Sequence, residues 1–423
     1  MTPELVATID DSSEITGPIQ RFIRPFQDFA AQEASGGILL LAATFAALAW
    51  VNSPWATSYF ALWHTTAAVA LGASSLSRDL HVWVNDGLMA VFFFVAGLEI
   101  KRELFVGELA TIRQAVLPIV AALGGVAVPA LLYSMLNRNG PGSPGWGIPM
   151  ATDIAFAMGV MALLGRRVPL GLKVFMMALA IVDDIAAVGV IALFYTTHIA
   201  WSALGIAAIC FATLLVFSRL GVRHPLPYAL VGLGLWAAIL QSGVHATIAG
   251  VLAAMTIPCR TNAKGSKHMQ SPLFRWEHAL HPWVTFAIMP LFALANAGIA
   301  FDGNAFRSLL QPVPFGVVLG LVLGKPIGIT LASWLAVRMR LASLPPGIRW
   351  IQLHAAGWLG GIGFTMSIFV AGLAFADGAV LNMAKLGIFT ASLLAGITGS
   401  VLLLRNPGEG ERDSGMIPNA IPG

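Results

Sequence analysis

The stretch LKVFMMALAIVDDIAAVGVIALFYTT, residues 172–197, determines the class of this protein. It is longer than the roughly 20 mostly apolar residues that a membrane-spanning helix needs. Two adjacent aspartates, Asp183 and Asp184, lie in its middle. Each carboxylate at that depth costs roughly 2.5–3.5 kcal/mol on insertion scales, so a helix that only had to span would not keep two. The pair therefore indicates a site for an ion or a proton.

The composition also indicates a membrane protein. The chain is 57% hydrophobic and 10% charged, with a mean hydropathy of +0.80, which excludes an ordinary soluble globular protein. Cys210 and Cys259 are the two cysteines, and they suggest neither a disulfide framework nor a metal site. The net charge of +4 comes from loops and implies no nucleic-acid partner. No cleavable signal peptide is evident.

Hydropathy predicts an all-α polytopic membrane protein with twelve transmembrane helices. The stretch 53–80 is rich in Ser, Thr and Trp, and we interpret it as a long loop. We expect a polar cytoplasmic N-terminal tail over 1–35, a transmembrane domain over 36–405 and a cytoplasmic C-terminal tail over 406–423. The predicted spans are at about 36–51, 81–100, 114–136, 146–164, 171–196, 201–218, 226–240, 243–258, 277–300, 312–337, 348–374 and 382–404.

The basic residues support this count of spans. With both termini in the cytoplasm, 19 of the 24 Lys and Arg residues fall in cytoplasmic segments. The opposite side holds Arg78, Arg138, Arg307 and Lys385, and only Lys325 remains inside the membrane. This asymmetry fits the positive-inside rule, and adding or removing one span would scramble it.

Five ionisable residues remain at membrane depth: Asp86, Asp153, Asp183, Asp184 and Lys325. Asp86 is either a carboxylate at the start of a helix near the interface or a functional group. Glu99 lies beside Lys101 and Arg102, so we expect an interfacial ion pair for it. The free energy of inserting the remaining four, Asp153, Asp183, Asp184 and Lys325, into a membrane is too high for them to be incidental. Their presence therefore indicates a function.

Asp183 and Asp184 project about 100° apart on one helix, so they line one cavity only if it opens between their two faces. Carboxylates that take up protons can also bind a hard cation, which prefers oxygen ligands. The alternative is that one aspartate only accepts hydrogen bonds inside the bundle.

Lys325 lies in a helix whose glycines 316, 320, 324 and 328 recur every four residues. Such a stripe lets a neighbouring backbone approach closely. A buried lysine needs a carboxylate, and the aspartates are the candidates. The string GKP is no phosphate-binding loop, because its glycines are wrongly spaced and Pro326 replaces Ser or Thr.

The fourth span is interrupted by Pro144, Pro149 and several glycines, and the eleventh by a run of glycines over 357–363. Broken helices survive at this depth beside a cavity or within protein. Their matching positions predict inverted repeats, spans 3–5 and 10–12, with discontinuous spans 4 and 11 around a transport site. Asp153 and Lys325 would compensate the partial charges of the half-helix ends. Close helix packing is the simpler explanation of the glycines alone.

Six strings of this sequence together resemble the NhaA family of sodium/proton antiporters, over about residues 36–404. They are ATDIAFAMGV (151–160), ALAIVDDIAAVGV (178–190), NDGLMAVFFFVAGLEIKREL (85–104), SGVHATIAGV (242–251), LHPWV with PLFALANAG (280–298) and GKPIGI (324–329). That family is itself a known case of inverted repeats, so the two inferences are not independent.

The resemblance implies a bacterial inner-membrane antiporter that exchanges cytoplasmic Na⁺ or Li⁺ for external protons by alternating access, and so regulates internal pH and sodium. It implies that Asp183 and Asp184 bind the transported ion and protons, with Thr152, Asp153 and Lys325 beside them. It associates Asp86 with function, and it associates a wider set with pH response, namely Glu99, Glu103, His245, Glu277, His278 and His281.

Other classes remain as alternatives. An intramembrane aspartyl protease also needs two membrane aspartates, and Asp153 with Asp183 could serve, but no GxGD-type string is present. A cation channel is a weaker rival, since broken helices favour alternating access. A resident metal at Glu277, His278 and His281 is a remote alternative. We expect membrane lipids and Na⁺, Li⁺ and H⁺ as partners, and no cofactor beyond the transported ions. A homodimer, through the 53–80 stretch, follows from family analogy alone.

Overall fold

The protein is a bundle of helices with one small β-hairpin. The computed structural model describes residues 18–71, 74–107, 109–196, 199–259, 271–301 and 305–406. Residues 1–17 of the predicted N-terminal tail, and nearly all of the predicted C-terminal tail, lie outside the described residues. The first helix begins at Pro18, before the predicted first span, because the intervening Ala, Gln and Glu residues are good helix formers.

The helices and strands follow in this order: α1 (Pro18–Val51), α2 (Ala56–Trp63), β1 (Thr66–Leu71), β2 (Ser74–Asp79), α3 (Leu80–Phe105), α4 (Ile112–Leu136), a 3₁₀ segment (Ser143–Met150), α5 (Ile154–Leu163), a 3₁₀ turn (Gly165–Arg167), α6 (Leu170–Phe194), α7 (Trp201–Arg219), α8 (Pro225–Ser242), α9 (Ile248–Thr256), α10 (Pro272–Asn296), a helical turn (Ala305–Ser308), α11 (Pro312–Arg338), α12 (Trp350–Gly360), α13 (Phe364–Ala374) and α14 (Gly378–Arg405).

Nine of the twelve predicted spans are single helices within the described ranges that are long and apolar enough to cross a membrane. The number rises to eleven if each of two bent helix pairs, over 35–63 and 350–374, is taken as one span. The predicted eighth span is α9, which has only nine residues. At 1.5 Å per residue it covers about 14 Å, against a hydrocarbon core of about 30 Å.

The predicted loop over 53–80 is in fact ordered structure. It forms α2, bent by 116° from α1, and an antiparallel hairpin in which Thr66 faces Asp79 and Leu71 faces Ser74. The indole N–H of Trp83 donates to the carbonyl of Ala67 at 3.0 Å and ties the hairpin to α3. The eight residues of α2 are too few to span, so the region adds no crossing to the bundle.

The two predicted interruptions are present, and they meet each other. Between the 3₁₀ segment and α5, the backbone is extended at Ala151 and at Asp153. α12 and α13 are bent by 46° at their break. The N–H of Asp153 donates to the carbonyl of Ile362 at 2.7 Å, so the two breaks lie against each other. The unpaired ends of four half-helices are therefore brought to one place.

The glycine stripe of α11 lies against α4, as its spacing predicts. A Cβ added at Gly328 would clash with the carbonyl of Gly124, and one at Gly324 would press on Pro129. Within the part of the chain that the structure describes, three π-helical segments interrupt the long helices, at Trp83–Leu88, Val284–Ile288 and Gly320–Gly324. The last ends directly before Lys325, and such bulges occur frequently at functional sites.

Candidate cation and proton site

A fully buried ion pair joins α6 and α11 at the crossing. The Nζ of Lys325 lies 2.6 Å from Oδ2 of Asp183, and both side chains have no exposed surface. The same ammonium donates to the carbonyl of Met150, the last residue of the 3₁₀ segment. Lys325 thus has the carboxylate that its burial demands, and it also neutralises a helical C-terminus.

Asp183 also has a partner in the break before α5. The Thr152 hydroxyl lies 2.6 Å from Oδ2 of Asp183 and 2.9 Å from the carbonyl of Gly360. The second oxygen, Oδ1, is buried and has no hydrogen-bond partner among the residues that the structure describes. A buried acceptor without a partner is costly, and a carboxylate oxygen attracts a cation or a proton.

Asp153 joins the N-termini of two half-helices. Its Oδ1 accepts from the N–H of Phe156 at 3.1 Å and so caps α5. Its Oδ2 accepts from the N–H of Thr365 at 3.0 Å, and from the hydroxyl of the same residue, at the start of α13. A negative charge at two helix N-termini is stabilised by their dipoles.

Asp184 faces a different direction from Asp183. It lines a cavity of about 60 Å³ together with Thr152, Asp153 and Glu99. A cavity of this volume has room for a few water molecules. Asp183 is not among the lining residues and faces Lys325 instead. Asp184 thus faces the cavity and Asp183 faces Lys325, because neighbouring residues project about 100° apart on a helix.

Glu99 and His281 line this cavity, and they belong to a charged network that we call the mouth cluster: Glu99, Arg102, Glu103, Glu277 and His281. The guanidinium of Arg102 pairs with Glu277 and, at 3.0 Å, with Glu103. Oε1 of Glu99 lies 3.3 Å from Nδ1 of His281. The ion pair expected of Glu99 is made with His281, while Arg102, one turn from Glu99 on α3, pairs with Glu103 and Glu277. Lys101 does not pair with Glu99, because residues i and i+2 diverge on a helix, and its ammonium donates to the carbonyls of Met255 and Ile257.

Three predicted residues lie apart from the mouth cluster. His278 is exposed. Nε2 of His245 lies 3.5 Å from Oδ1 of Asp86, and this pair stands near the opposite end of α3. Asp86 lies in the π segment, six residues after the first residue of α3. No group of His, Cys, Asp and Glu within the described ranges could hold a resident metal ion.

Sequence reasoning missed Thr365 and Arg102. Thr365 lies in the string GIGFT, directly after the break of its span. Thr152 and Asp153 lie at the break of the matching span, so the symmetry of the two spans could have predicted a role for Thr365. Arg102 was expected only as a cytoplasmic charge and a partner of Glu99, and its pairing with Glu277 on α10 was not predicted. Both oxygens of Asp153 are engaged with α5 and α13, so Asp153 and Asp183 do not form the shared, water-activating pair of an aspartyl protease.

Comparison with known proteins gives one consistent result. The model of the family described as Na⁺/H⁺ antiporter 1 matches residues 27–403. The Na⁺/H⁺ antiporter NhaA of Koribacter versatilis is 48% identical, with 95% of this chain and 96% of the relative covered. That of Oleidesulfovibrio alaskensis is 49% identical over 91% and 95%, and that of Citrobacter koseri is 50% identical over 88% and 95%.

Proposed function

Since this chain belongs to the Na⁺/H⁺ antiporter 1 family and is a multi-pass transporter rather than an enzyme, we propose that it carries Na⁺ and protons alternately on Asp183 and Asp184. The observation that carries this proposal is the buried Oδ1 of Asp183, which has no partner among the described residues. Na⁺ is the substrate here, and carboxylate oxygens suit such a hard cation.

The charges of the site favour a cation. The site contains three buried carboxylates, those of Asp153, Asp183 and Asp184, and the buried ammonium of Lys325, which pairs with Asp183. The helix N-termini offset Asp153, and Lys325 offsets Asp183. Asp184 is then left with a charge that burial makes expensive, so the site gains by binding Na⁺ or a proton.

Competition follows from the shared oxygens. A protonated carboxyl is a poor ligand for a hard cation, so binding of a proton excludes Na⁺ and binding of Na⁺ displaces the proton. Since the two aspartates are neighbours, their titration belongs to the pair rather than to either residue. Li⁺ is also a hard cation that prefers oxygen ligands, and we include it as a second transported ion.

The route follows from the charge asymmetry of the loops. Glu99 lines the cavity near the end of α3 that carries Lys101 and Arg102, and the positive-inside rule puts that end in the cytoplasm. Cytoplasmic Na⁺ would enter there and leave for external protons by alternating access between inverted repeats. In a bacterial inner membrane, with both termini cytoplasmic, this exchange would regulate internal pH and sodium.

Isosteric substitution tests the site. Asp183→Asn and Asp184→Asn keep the shape but remove the charge, and each should abolish proton movement on addition of Na⁺ or Li⁺ to inside-out vesicles. Asp377→Asn is the matched control, because that aspartate is exposed and caps only α14. Normal exchange by both site variants, at normal membrane levels, would refute the assignment.

A grid of Na⁺ concentration and pH separates competition from regulation. Competition predicts that apparent Na⁺ affinity weakens as pH falls and that saturating Na⁺ restores the full rate. A regulatory role of Glu277, His278 and His281 predicts instead that replacing them shifts the pH profile and leaves exchange intact at the best pH. Na⁺ affinity that is independent of pH contradicts a shared site.

A further inference from the structure

One wall of the cavity at Asp184 belongs to α10, and it carries a threonine that the proposed transport site does not use. His281, Thr285 and Met289 line the cavity at intervals of four residues, so they share one face of this helix. His281 belongs to the mouth cluster, and Thr285 lies one turn farther along α10. Thr285 is thus the next polar side chain on this wall after the mouth cluster.

The hydroxyl of Thr285 departs from the usual behaviour of threonine in a helix. A helical threonine commonly donates to the carbonyl four residues earlier, and Thr44, Thr213 and Thr390 do so at 2.8–2.9 Å. Thr285 lies in the π segment Val284–Ile288, where the backbone bonds to the carbonyl five residues back and the helical register is altered. Its hydroxyl has no hydrogen-bond partner among the residues that the structure describes.

The methyl group of Thr285 is held against α1. A Cβ added at Gly36 would collide with Cγ2 of Thr285, so only a glycine leaves room for that methyl. Because threonine is stiff at χ1, fixing the methyl also fixes the direction of the hydroxyl. Thr285 is only 6% exposed, but its oxygen is not one of the enclosed polar atoms that lack a partner. The oxygen therefore keeps accessible surface, which faces the cavity that this residue lines.

A hydroxyl oxygen in this cavity suits a small cation. The other polar side chains of the cavity wall are Glu99, Thr152, Asp153, Asp184 and His281. In a volume of about 60 Å³, a cation contacts such groups directly or through one water. Hard cations prefer oxygen ligands, and a hydroxyl supplies one without the cost of another buried charge. The second hydroxyl of the wall, that of Thr152, is already bound to Asp183, so Thr285 is the hydroxyl that is available to the ion.

We propose that Thr285 is a ligand of an entry subsite for a partly hydrated Na⁺ or Li⁺, which the ion occupies on its way to Asp184. This rests on the proposed function, since the subsite needs a transported cation. The hydroxyl oxygen replaces one water of the hydration shell and so lowers the cost of moving the ion toward the buried carboxylate. Because a hydroxyl does not titrate between acidic and neutral pH, the subsite acts on the affinity for the cation and not on the binding of protons.

Thr285→Val tests the subsite, because valine keeps the branched shape that packs against Gly36 and lacks the hydroxyl. The apparent KM for Na⁺ in inside-out vesicles should rise on the order of fivefold, as for the loss of one ordinary hydrogen bond. The maximal rate and the pH profile should stay unchanged. Calorimetric titration of the purified protein with NaCl or LiCl should show a rise of Kd by the same factor. Thr285→Ser keeps the hydroxyl and should retain the affinity of the wild type.

Thr44→Val is the matched control, since Thr44 is also a buried helical threonine, but its hydroxyl donates to the carbonyl of Leu40 and lines no part of the cavity. If Thr285→Val fails to insert, Thr285→Ala carries the same expectation. An unchanged KM in the variant measured, or an equal rise with Thr44→Val or Thr285→Ser, would overturn the subsite. Loss of exchange in Asp184→Asn together with an unchanged KM in Thr285→Val would reject the subsite alone, and the proposed function would stand.

Discussion

Lys325 occupies an unusual position for a lysine, with no exposed surface and an ion pair to Asp183 at 2.6 Å. Its ammonium also satisfies the carbonyl of Met150, so one side chain holds together α6, α11 and the 3₁₀ segment. An ion pair of this kind gains little over a well-packed apolar pair, yet breaking it leaves an uncompensated charge. Lys325 therefore links the stability of the bundle to the ionisation of its transport site.

At this scale we predict that Lys325→Met destabilises the protein by about 3–5 kcal/mol, because the Asp183 carboxylate loses its counter-ion. Thermal unfolding of the protein in detergent measures the change. Adding Asp183→Asn should recover part of the loss, since the unpaired charge is then removed. Arg405→Met, at the exposed end of α14, should stay within about 0.5 kcal/mol. An additive double variant would show that the two residues do not interact.

At the scale of elements, α4 and α11 approach each other through glycines. The backbone of Gly124 meets that of Gly328 so closely that either Cβ would collide with the other carbonyl. This contact positions Lys325, which lies one turn before Gly328 on α11, beside the broken helices. The half-helices themselves are held by Asp153, whose carboxylate stabilises two N-termini at once.

Gly328→Ala should therefore destabilise the bundle by about 1–3 kcal/mol through overpacking. Gly189→Ala on α6, where a Cβ would meet nothing within 4 Å, should be neutral or stabilising by about 0.5–1 kcal/mol, since Gly is the poorer helix former. Melting temperatures of the two purified variants provide the comparison. Equal effects of the two substitutions would mean that the α4–α11 contact is not tight.

At the scale of the whole molecule, the asymmetry of basic residues fixes the orientation of the bundle. Within the described ranges α14 runs from Gly378 to Arg405 and is long enough to cross the membrane. The positive-inside rule places its C-terminal end in the cytoplasm. The short α9 is the weak point of this topology, because a nine-residue helix gives little signal for insertion.

Reporter fusions test that orientation directly. A reporter fused after Arg405 should show cytoplasmic activity, and one fused near Asp377 should show activity on the outer side. Fusions after Thr256 should read cytoplasmic, as the charged stretch beyond it requires. The opposite result at Arg405 and Asp377 would mean that a span was miscounted, and the fusion after Thr256 would locate the error.

The sequence by itself determined the class, the positions of most spans and the polar residues at membrane depth. These properties can be read from short stretches of sequence: the length of apolar runs, the basic residues of loops and the charges at membrane depth. The reason is that the bilayer penalises each misplaced charge whatever the fold of the rest of the chain. It also predicted the two broken helices, since Pro and Gly act on their own backbone. Local patterns do not specify partners far apart in the chain.

Only the tertiary structure decided how those residues are used. It directed Asp183 to Lys325 and Asp184 to the cavity, added Thr365 to the site, and paired Glu99 with His281. It also folded the predicted loop into a helix and hairpin. Adjacent residues on a helix face different neighbours, so the role of each depends on which distant helix packs there. That depends on the packing of the whole bundle, which no local pattern in the sequence encodes.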